Sequence, residues 1–405
     1  MADVLHIHLG DRRVGEITSL GGERSVFTFD DAYADDPTRP VLSLGFKNAI
    51  GDLLREQETT KIKLLPFFSN LLPEGSLRTY LAERAGVKPM REFFLLSALG
   101  QDLSGAVTAT TPDGQPLRPP EPEEPFEAPR HDGPILRFSL AGVQLKFSAV
   151  EKATGGLTIP ARGVGGDWIV KLPSTAHAGV SENEYSMMSL AKMIGIEVPD
   201  IALHELDQIG HLPEGVGRLT GAAYAIKRFD RPRAGEKIHI EDFAQVFAID
   251  PDDKYKKASY RNIAQVVWRE TGEAGLVAFV RRLVFSALIG NADMHLKNWS
   301  LIYRDGVMPE LAPAYDFVST IAYIPDDRFA LNVVDSKRWA DFDRRELSKM
   351  AAKAGLPERL VLATAAETVA RFREVWVREQ DHLPMHDDVR EAVDLQLERV
   401  PLAAG

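Results

Sequence analysis

The sequence contains no cysteine, so it can form no disulfide and no thiolate metal site. It also lacks any uninterrupted apolar run of the ~18 residues that a bilayer-spanning helix needs. Its first residues, MADVLHIHLGDRR, show no basic stretch leading into an apolar core, so no secretory signal is expected. Positive charge is in deficit: 48 Lys and Arg stand against 59 Asp and Glu, a net charge of −11. That balance argues against coating nucleic acid by bulk attraction, although a local basic patch remains compatible with it. Together these absences point to a reducing cytoplasm. What is present, 44% hydrophobic and 26% charged residues in a chain of 405, suits a globular protein of two or three domains.

One segment stands apart. Between Pro112 and Pro134 the chain reads PDGQPLRPPEPEEPFEAPRHDGP, which holds eight of its 25 prolines and too few apolar residues to bury. It is expected to be a linker over 112–134. Before it, VLHIHL, RRVGEITSL, RSVFTF and GAVTATT read as strands, with helices at PEGSLRTYLAERAG and REFFLLSALG, an α+β module over 1–111. His6 and His8 share one face of the first strand and have no third ligand nearby, which makes them strand surface. Residues 135–238 carry short apolar runs (VQLKFSAV, GGLTIP, DWIVKLP, AAYAIKRF) expected to form an antiparallel sheet, interrupted by the helix ENEYSMMSLAKMIG. From 239 to 405 the pattern turns helical, beginning with IEDFAQVFA. The expected fold class is therefore α+β: a strand-rich N-terminal lobe of two subdomains, then an all-helical C-terminal lobe, with a cleft between them.

The chemistry gathers in NADMHLKN, residues 291–298, directly behind the apolar VAFVRRLVFSALIG. Asp293 and Asn298 have the spacing of a protein-kinase catalytic loop, where a carboxylate accepts a hydroxyl proton and an amide oxygen binds magnesium. A hairpin follows, with RDG as its turn, and ends on Asp316 and Phe317, the order in which kinases place a second metal-binding aspartate. Val318 replaces the glycine of that motif, so no glycine hinge is assumed. Three such oxygen donors suit Mg²⁺. Upstream, Lys171 ends an apolar strand and needs an anion to justify its burial. Glu184 shares a helical face with Met187, Met188, Ala191 and Ile194, which makes it the expected lysine partner. The turn RFSLAGVQLK holds only Gly142, so the glycine-rich pattern is absent; the backbone N–H groups of Leu140, Ala141 and Gly142 can still form an anion nest. Arg228 and Phe229, in AIKRFDR, can edge an adenine pocket. KYKK, residues 254–257, reads as a solvated basic loop.

Taken in order, FFSNLLPEG, SLAGVQLK, IVKLP, SENEY, RFDR, EDFAQVF, NADMHLKN and AYDF resemble the HipA family, the serine/threonine kinase toxins of bacterial type II toxin–antitoxin systems. The resemblance runs through most of the chain and implies a bilobal protein-kinase-like fold using ATP and Mg²⁺. It makes Asp293 the catalytic aspartate, Asn298 and Asp316 the Mg²⁺ ligands, and Lys171 the ATP-phosphate lysine. His295, Tyr315 and Gln245 would line the nucleotide site. Ser139 would be the autophosphorylated serine, and its charge would expel the phosphate-covering loop. Lys227 departs from the glutamate common at that position, which matters little if the adenine contact is through backbone. The resemblance further implies a translation component as substrate, often an aminoacyl-tRNA synthetase. It implies a HipB-type helix-turn-helix antitoxin as partner, with operator DNA reached only through that antitoxin. A small-molecule phosphotransferase and a non-catalytic corepressor module are the rival readings.

Overall fold

The computed structural model describes residues 3–115, 117, 146–151, 156–159, 165–212 and 219–404. Most of the proline-rich segment, and the stretch from Ser139 to Gly142, lie outside them.

Among the described residues the chain forms three sheets. The first joins β1 (Val4–Leu9), β2 (Arg12–Gly21), β3 (Arg24–Phe29), β4 (Thr60–Lys61) and β5 (Val107–Thr110) in the order β4-β3-β2-β1-β5, all antiparallel. Alternation decides its faces: Leu5, Ile7 and Leu9 are buried, while His6 and His8 lie on the other face opposite Glu16 and Arg13. The buried face packs on the short helices α1 (Asp31–Ala34) and α2 (Pro66–Ser69) and on α3 (Gly75–Ala85) and α4 (Glu92–Leu99). Phenylalanines fill the gap, with the Phe27 ring 4.7 Å from Phe29 and 4.9 Å from Phe68.

The second sheet is built from β6 (Lys146–Glu151), β7 (Leu157–Thr158), β8 (Trp168–Lys171), β9 (Ile201–His204), β10 (Ile209–Gly210) and β11 (Ala223–Lys227), ordered β10-β7-β6-β8-β11-β9. Its pairs are antiparallel except β10 with β7. Along β11, Ala223 and Ala225 face one small core while Tyr224 and Ile226 face the main one, under α5 (Val180–Met193). The switch of period from 2 to 3.6 between β11 and α5 lets one apolar mass serve both.

The C-terminal part is not all helical. A third sheet, β12 (His239–Asp242), β13 (Ser300–Tyr303) and β14 (Glu310–Leu311), runs through it in the order β12-β13-β14. The expected helix IEDFAQVFA splits accordingly. Ile240 pairs with Ile302 in the sheet, and only after Asp242, whose carboxylate caps the Gln245 N–H at 2.9 Å, does α6 (Phe243–Val246) begin. The long α7 (Tyr260–Leu288) is capped by Ser259 and breaks at Gly272, φ 67°, just before the apolar stretch VAFVRRLVFSALIG. Then come α8 (Arg344–Ala354), α9 (Glu358–Glu379) and α10 (Asp387–Arg399). Phe285 of α7 and Phe372 of α9 meet with ring centroids 5.8 Å apart. No described helix is long and apolar enough to cross a membrane.

Candidate active site

Helix α7 mounts the site. Its last turns, from Leu283 to Ile289, are entirely buried, and Gly290 reverses the chain at φ 64°. The loop that follows is held from within. The Asn291 side chain accepts the Asp293 N–H at 3.0 Å and donates to the Asp316 carbonyl at 3.1 Å, which ties the two acidic segments together. The Asn298 side-chain amide donates to the Asp293 carbonyl at 2.7 Å, so its Oδ1 is turned elsewhere and is available to a cation.

The Asp293 carboxylate accepts a hydrogen bond at Oδ1 from the Tyr255 phenol, and Oδ2 has no hydrogen-bond partner among the described residues. Burial pushes the Asp293 carboxyl up to about 7, opposed by the phenol, which stabilises the ionised form. Beside it a cavity of about 260 Å³ is lined by Tyr255, Ala292, Asp293, Thr320, Phe329 and Lys337, among others. It contains neither Lys171 nor Asn298 nor Asp316, so Asp293 is the member of the set that faces it.

Asp316 takes the left-handed backbone region at φ 59°, a costly conformation for a residue with a Cβ. Its Oδ1 forms an ion pair with the Lys171 ammonium, which lies 2.6 Å from Glu184 Oε1 on α5. One ammonium between two carboxylates cannot neutralise both. Burial raises both carboxyls; at the half-buried Asp316 the attraction of Lys171 wins and holds it at about 2, whereas burial dominates at Glu184, pushing it up to about 7. Lys171 itself would be lowered by burial, but the two carboxylates raise it, so it stays charged. Lys146 stands directly opposite Lys171 across β6 and β8, a second ammonium next to Asp316.

His295 is buried edge-on to Tyr255, 4.9 Å between ring centroids, and burial with the Lys254 charge lowers it to about 3. It is a neutral imidazole whose buried Nδ1 has no partner among the described residues. Tyr315 shares its hydroxyl with Ser300 Oγ at 2.5 Å and donates to the Lys297 carbonyl at 2.9 Å. Its ring lies 5.9 Å from that of Phe229, two aromatic planes of the kind that accept a flat ligand.

Two of the expected nucleotide contacts are committed elsewhere. The Arg228 guanidinium is buried in ion pairs with Asp102 at 3.2 Å and Asp230 at 2.9 Å, so any contact with a base at this segment falls to its backbone and to Phe229. Gln245 closes a capping box with Asp242 and donates to the Phe67 carbonyl at 3.0 Å. Leu140, Ala141, Gly142 and Ser139 lie outside the described residues.

KYKK is not a plain solvated loop. Lys256 and Lys257 are exposed, but Lys254 is buried and pairs with Glu74 at 2.6 Å, and Tyr255 is the donor to Asp293. Sequence reading missed Tyr255, Lys254, Glu74 and Asn291. The available signals were the amide that opens NADMHLKN and the tyrosine set inside a basic cluster.

No group of three or more His, Asp or Glu side chains is arranged to hold a metal among the described residues. The donor set that is present, the Asn298 amide oxygen with the Asp316 carboxylate, fits Mg²⁺, which takes one or two protein oxygens and shares the rest with phosphate and water. The Lys171 ammonium beside Asp316 fits an anionic ligand at those donors.

Fold and site geometry together define a kinase-like α+β protein. The HipA-like C-terminal domain matches residues 138–376 and the HipA N-terminal domain matches residues 5–110. The chain belongs to the HipA-like kinase toxin family. It is 52% identical over 402 residues to the candidate kinase Y4dM of Sinorhizobium fredii, covering 98% of this chain and 97% of that protein. It is 27% identical to the serine/threonine-protein kinase toxin HipA of Shewanella oneidensis, covering 91% of this chain and 87% of the toxin. The solved complex of Shewanella oneidensis HipA with HipB and operator DNA shares the fold, with TM-score 0.74 at 23% identity over 99% of this chain and 96% of that one.

Proposed function

We propose that this protein is an ATP- and Mg²⁺-dependent protein serine/threonine kinase, the toxin of a type II toxin–antitoxin pair in the cytoplasm. The observation that carries the reading is how one loop ties the four residues together: Asn298 donates to the Asp293 carbonyl, Asn291 links that loop to the Asp316 carbonyl, and Asp316 pairs with Lys171. In this reading residues 1–111 form an N-terminal module, 135–238 the nucleotide-binding part and 239–405 the part that bears the catalytic loop. Lys171 orients the phosphates and Asn298 and Asp316 hold Mg²⁺, which when bound offsets charge on the phosphate oxygens. Asp293 takes the proton of the acceptor serine or threonine hydroxyl through Oδ2. The freed oxygen bonds to the γ-phosphorus as the bond to the β,γ-bridging oxygen breaks, and ADP leaves. Positioning and electrostatics supply the rate.

The acceptor is a translation component, an aminoacyl-tRNA synthetase by family resemblance, and Ser139 is the autophosphorylation site. A HipB-type antitoxin as partner, with operator DNA reached through it, is supported by the composition of the Shewanella complex. The test is transfer of labelled γ-phosphate by the purified protein and by Asp293→Gln, with intact mass to detect a phosphoryl group on Ser139. Transfer by the native chain and loss of about 10³-fold or more in the variant is expected. Equal incorporation by the two would remove Asp293 from the chemistry.

A further inference from the structure

The N-terminal module reaches into the site through one carboxylate. Glu74 precedes α3, far from the catalytic loop in sequence. Its Oε1 lies 2.6 Å from Lys297 Nζ and its Oε2 2.6 Å from Lys254 Nζ. The Asn70 carbonyl, at the end of α2, accepts a second bond from Lys297 at 3.0 Å. Asn70 is itself fixed, donating to the Pro66 and Ile249 carbonyls, each at 2.8 Å. The three charged side chains are largely withdrawn from water, at 24% exposure for Glu74, 10% for Lys254 and 15% for Lys297.

What the two lysines flank gives the contact its meaning. Lys254 precedes Tyr255, whose phenol donates to the Asp293 carboxylate, and the Lys254 carbonyl accepts the Leu296 N–H at 3.2 Å. Lys297 precedes Asn298, whose amide donates to the Asp293 carbonyl. A single carboxylate therefore grips the residue before each of two groups that hold Asp293, Tyr255 and Asn298. Without it, two neighbouring ammonium groups would face each other in a partly dry site with no carboxylate paired to them, only the Asp242 and Asp293 carboxylates acting at longer range, and like charges so placed push the segments apart. An ordinary surface ion pair, exposed and monodentate, would carry no such consequence.

We propose that Glu74 is a positioning residue for the transfer site, so that the N-terminal module is a working part of the catalytic loop's support. This rests on the kinase reading for its kinetic arm only. The experiment compares the full chain with Glu74→Gln and Glu74→Asp, measuring kcat and KM for ATP alongside amide hydrogen exchange resolved over residues 291–299. The expected result is a fall in kcat of about tenfold or more in Glu74→Gln, with KM for ATP within about twofold of the native value, because binding and transition-state alignment separate. Glu74→Asp, which keeps the charge, retains more of kcat. Exchange quickens over 291–299 and 254–258 in Glu74→Gln and stays native elsewhere. Native kcat with native exchange overturns the proposal. So does exchange that quickens throughout the molecule while kcat and ATP affinity fall together, since that marks a contact serving only overall stability. If the native chain transfers no phosphate, the kinase reading fails by itself, and the exchange comparison still decides whether Glu74 holds the loop.

Discussion

On the proposed reading Asp293 must be ionised to accept a proton, yet it sits where burial favours its neutral form. The Tyr255 phenol partly offsets this, because a hydrogen bond donated to the carboxylate stabilises the charged state. The sign follows. With the Asp293 carboxyl raised to about 7, transfer should increase as pH rises through about 7 and fall below it. Removing the phenol withdraws a factor that lowers the value, so Tyr255→Phe should move the acidic limb of kcat/KM to higher pH. A pH–rate series on both proteins checks this, and coincident limbs would detach Tyr255 from the titration. That Asp293 and Asn298 belong to one loop was legible in the sequence because they lie five residues apart, and the hairpin that brings Asp316 to it was legible from its turn. The helical face of Glu184 was legible from local spacing as well. Tyr255 was not, because nothing in KYKK reveals that one lysine finds a carboxylate at position 74 while its neighbours stay in water.

At the scale of elements, α7 and the loop at its end behave as one piece. The capping box of Ser259 and Asn262 starts the helix, Gly272 bends it, and Gly290 ends it in the left-handed region, where a side chain is strained. A Cβ at position 290 would also collide with the Ile321 side chain, whose own N–H is directed at the Gly290 carbonyl. Gly290→Ala should therefore cost about 1–3 kcal/mol, through backbone strain and overpacking combined. Urea unfolding measures it, and a midpoint unchanged from the native protein would show that the turn relaxes freely. The helices were readable because their apolar spacing and caps lie within a dozen residues of each other. The sheet β12-β13-β14 was not readable as a whole. The sequence showed the hairpin of β13 and β14, but β12 pairs with β13 across the whole of α7, and four residues that end on a helix cap look like more helix.

At the scale of the molecule, the question is what fixes the N-terminal module closely enough for Glu74 to reach the loop. Two buried polar clusters do so. Glu241 accepts from Ser43 Oγ at 2.5 Å, the Leu44 N–H at 3.0 Å and the Tyr303 phenol, joining the first module to the third sheet. The second cluster joins it to the second sheet, at the end of β11. Asp102 lies 3.2 Å from both Arg228 and Arg231, which share Asp230, and Asp230 accepts the Gly105 N–H at 2.8 Å. None of this was visible in the sequence, where Asp102 is one loop acid among 59 acidic residues. The contacts of Ser43 and Leu44 with Glu241, and of Asp102 with Arg228 and Arg231, each span more than a hundred positions, and the docking of modules is a long-range property that no local pattern encodes. Burial raises the Asp102 carboxyl, but Arg228 and Arg231, with the Gly165 N–H, bring it below the ordinary carboxylate range. Its contribution to stability is thus present above that range and is lost as pH falls through the lowered value. Asp102→Asn leaves two buried guanidinium groups sharing one remaining carboxylate, and breaking a buried pair costs about 3 kcal/mol or more. The variant should unfold at lower urea near neutral pH, and the gap from the native protein should narrow as pH drops and the native carboxylate is protonated. A gap that stays constant from neutral pH into the acid range would mean that the cluster is held by shape and hydrogen bonds, not by the Asp102 charge.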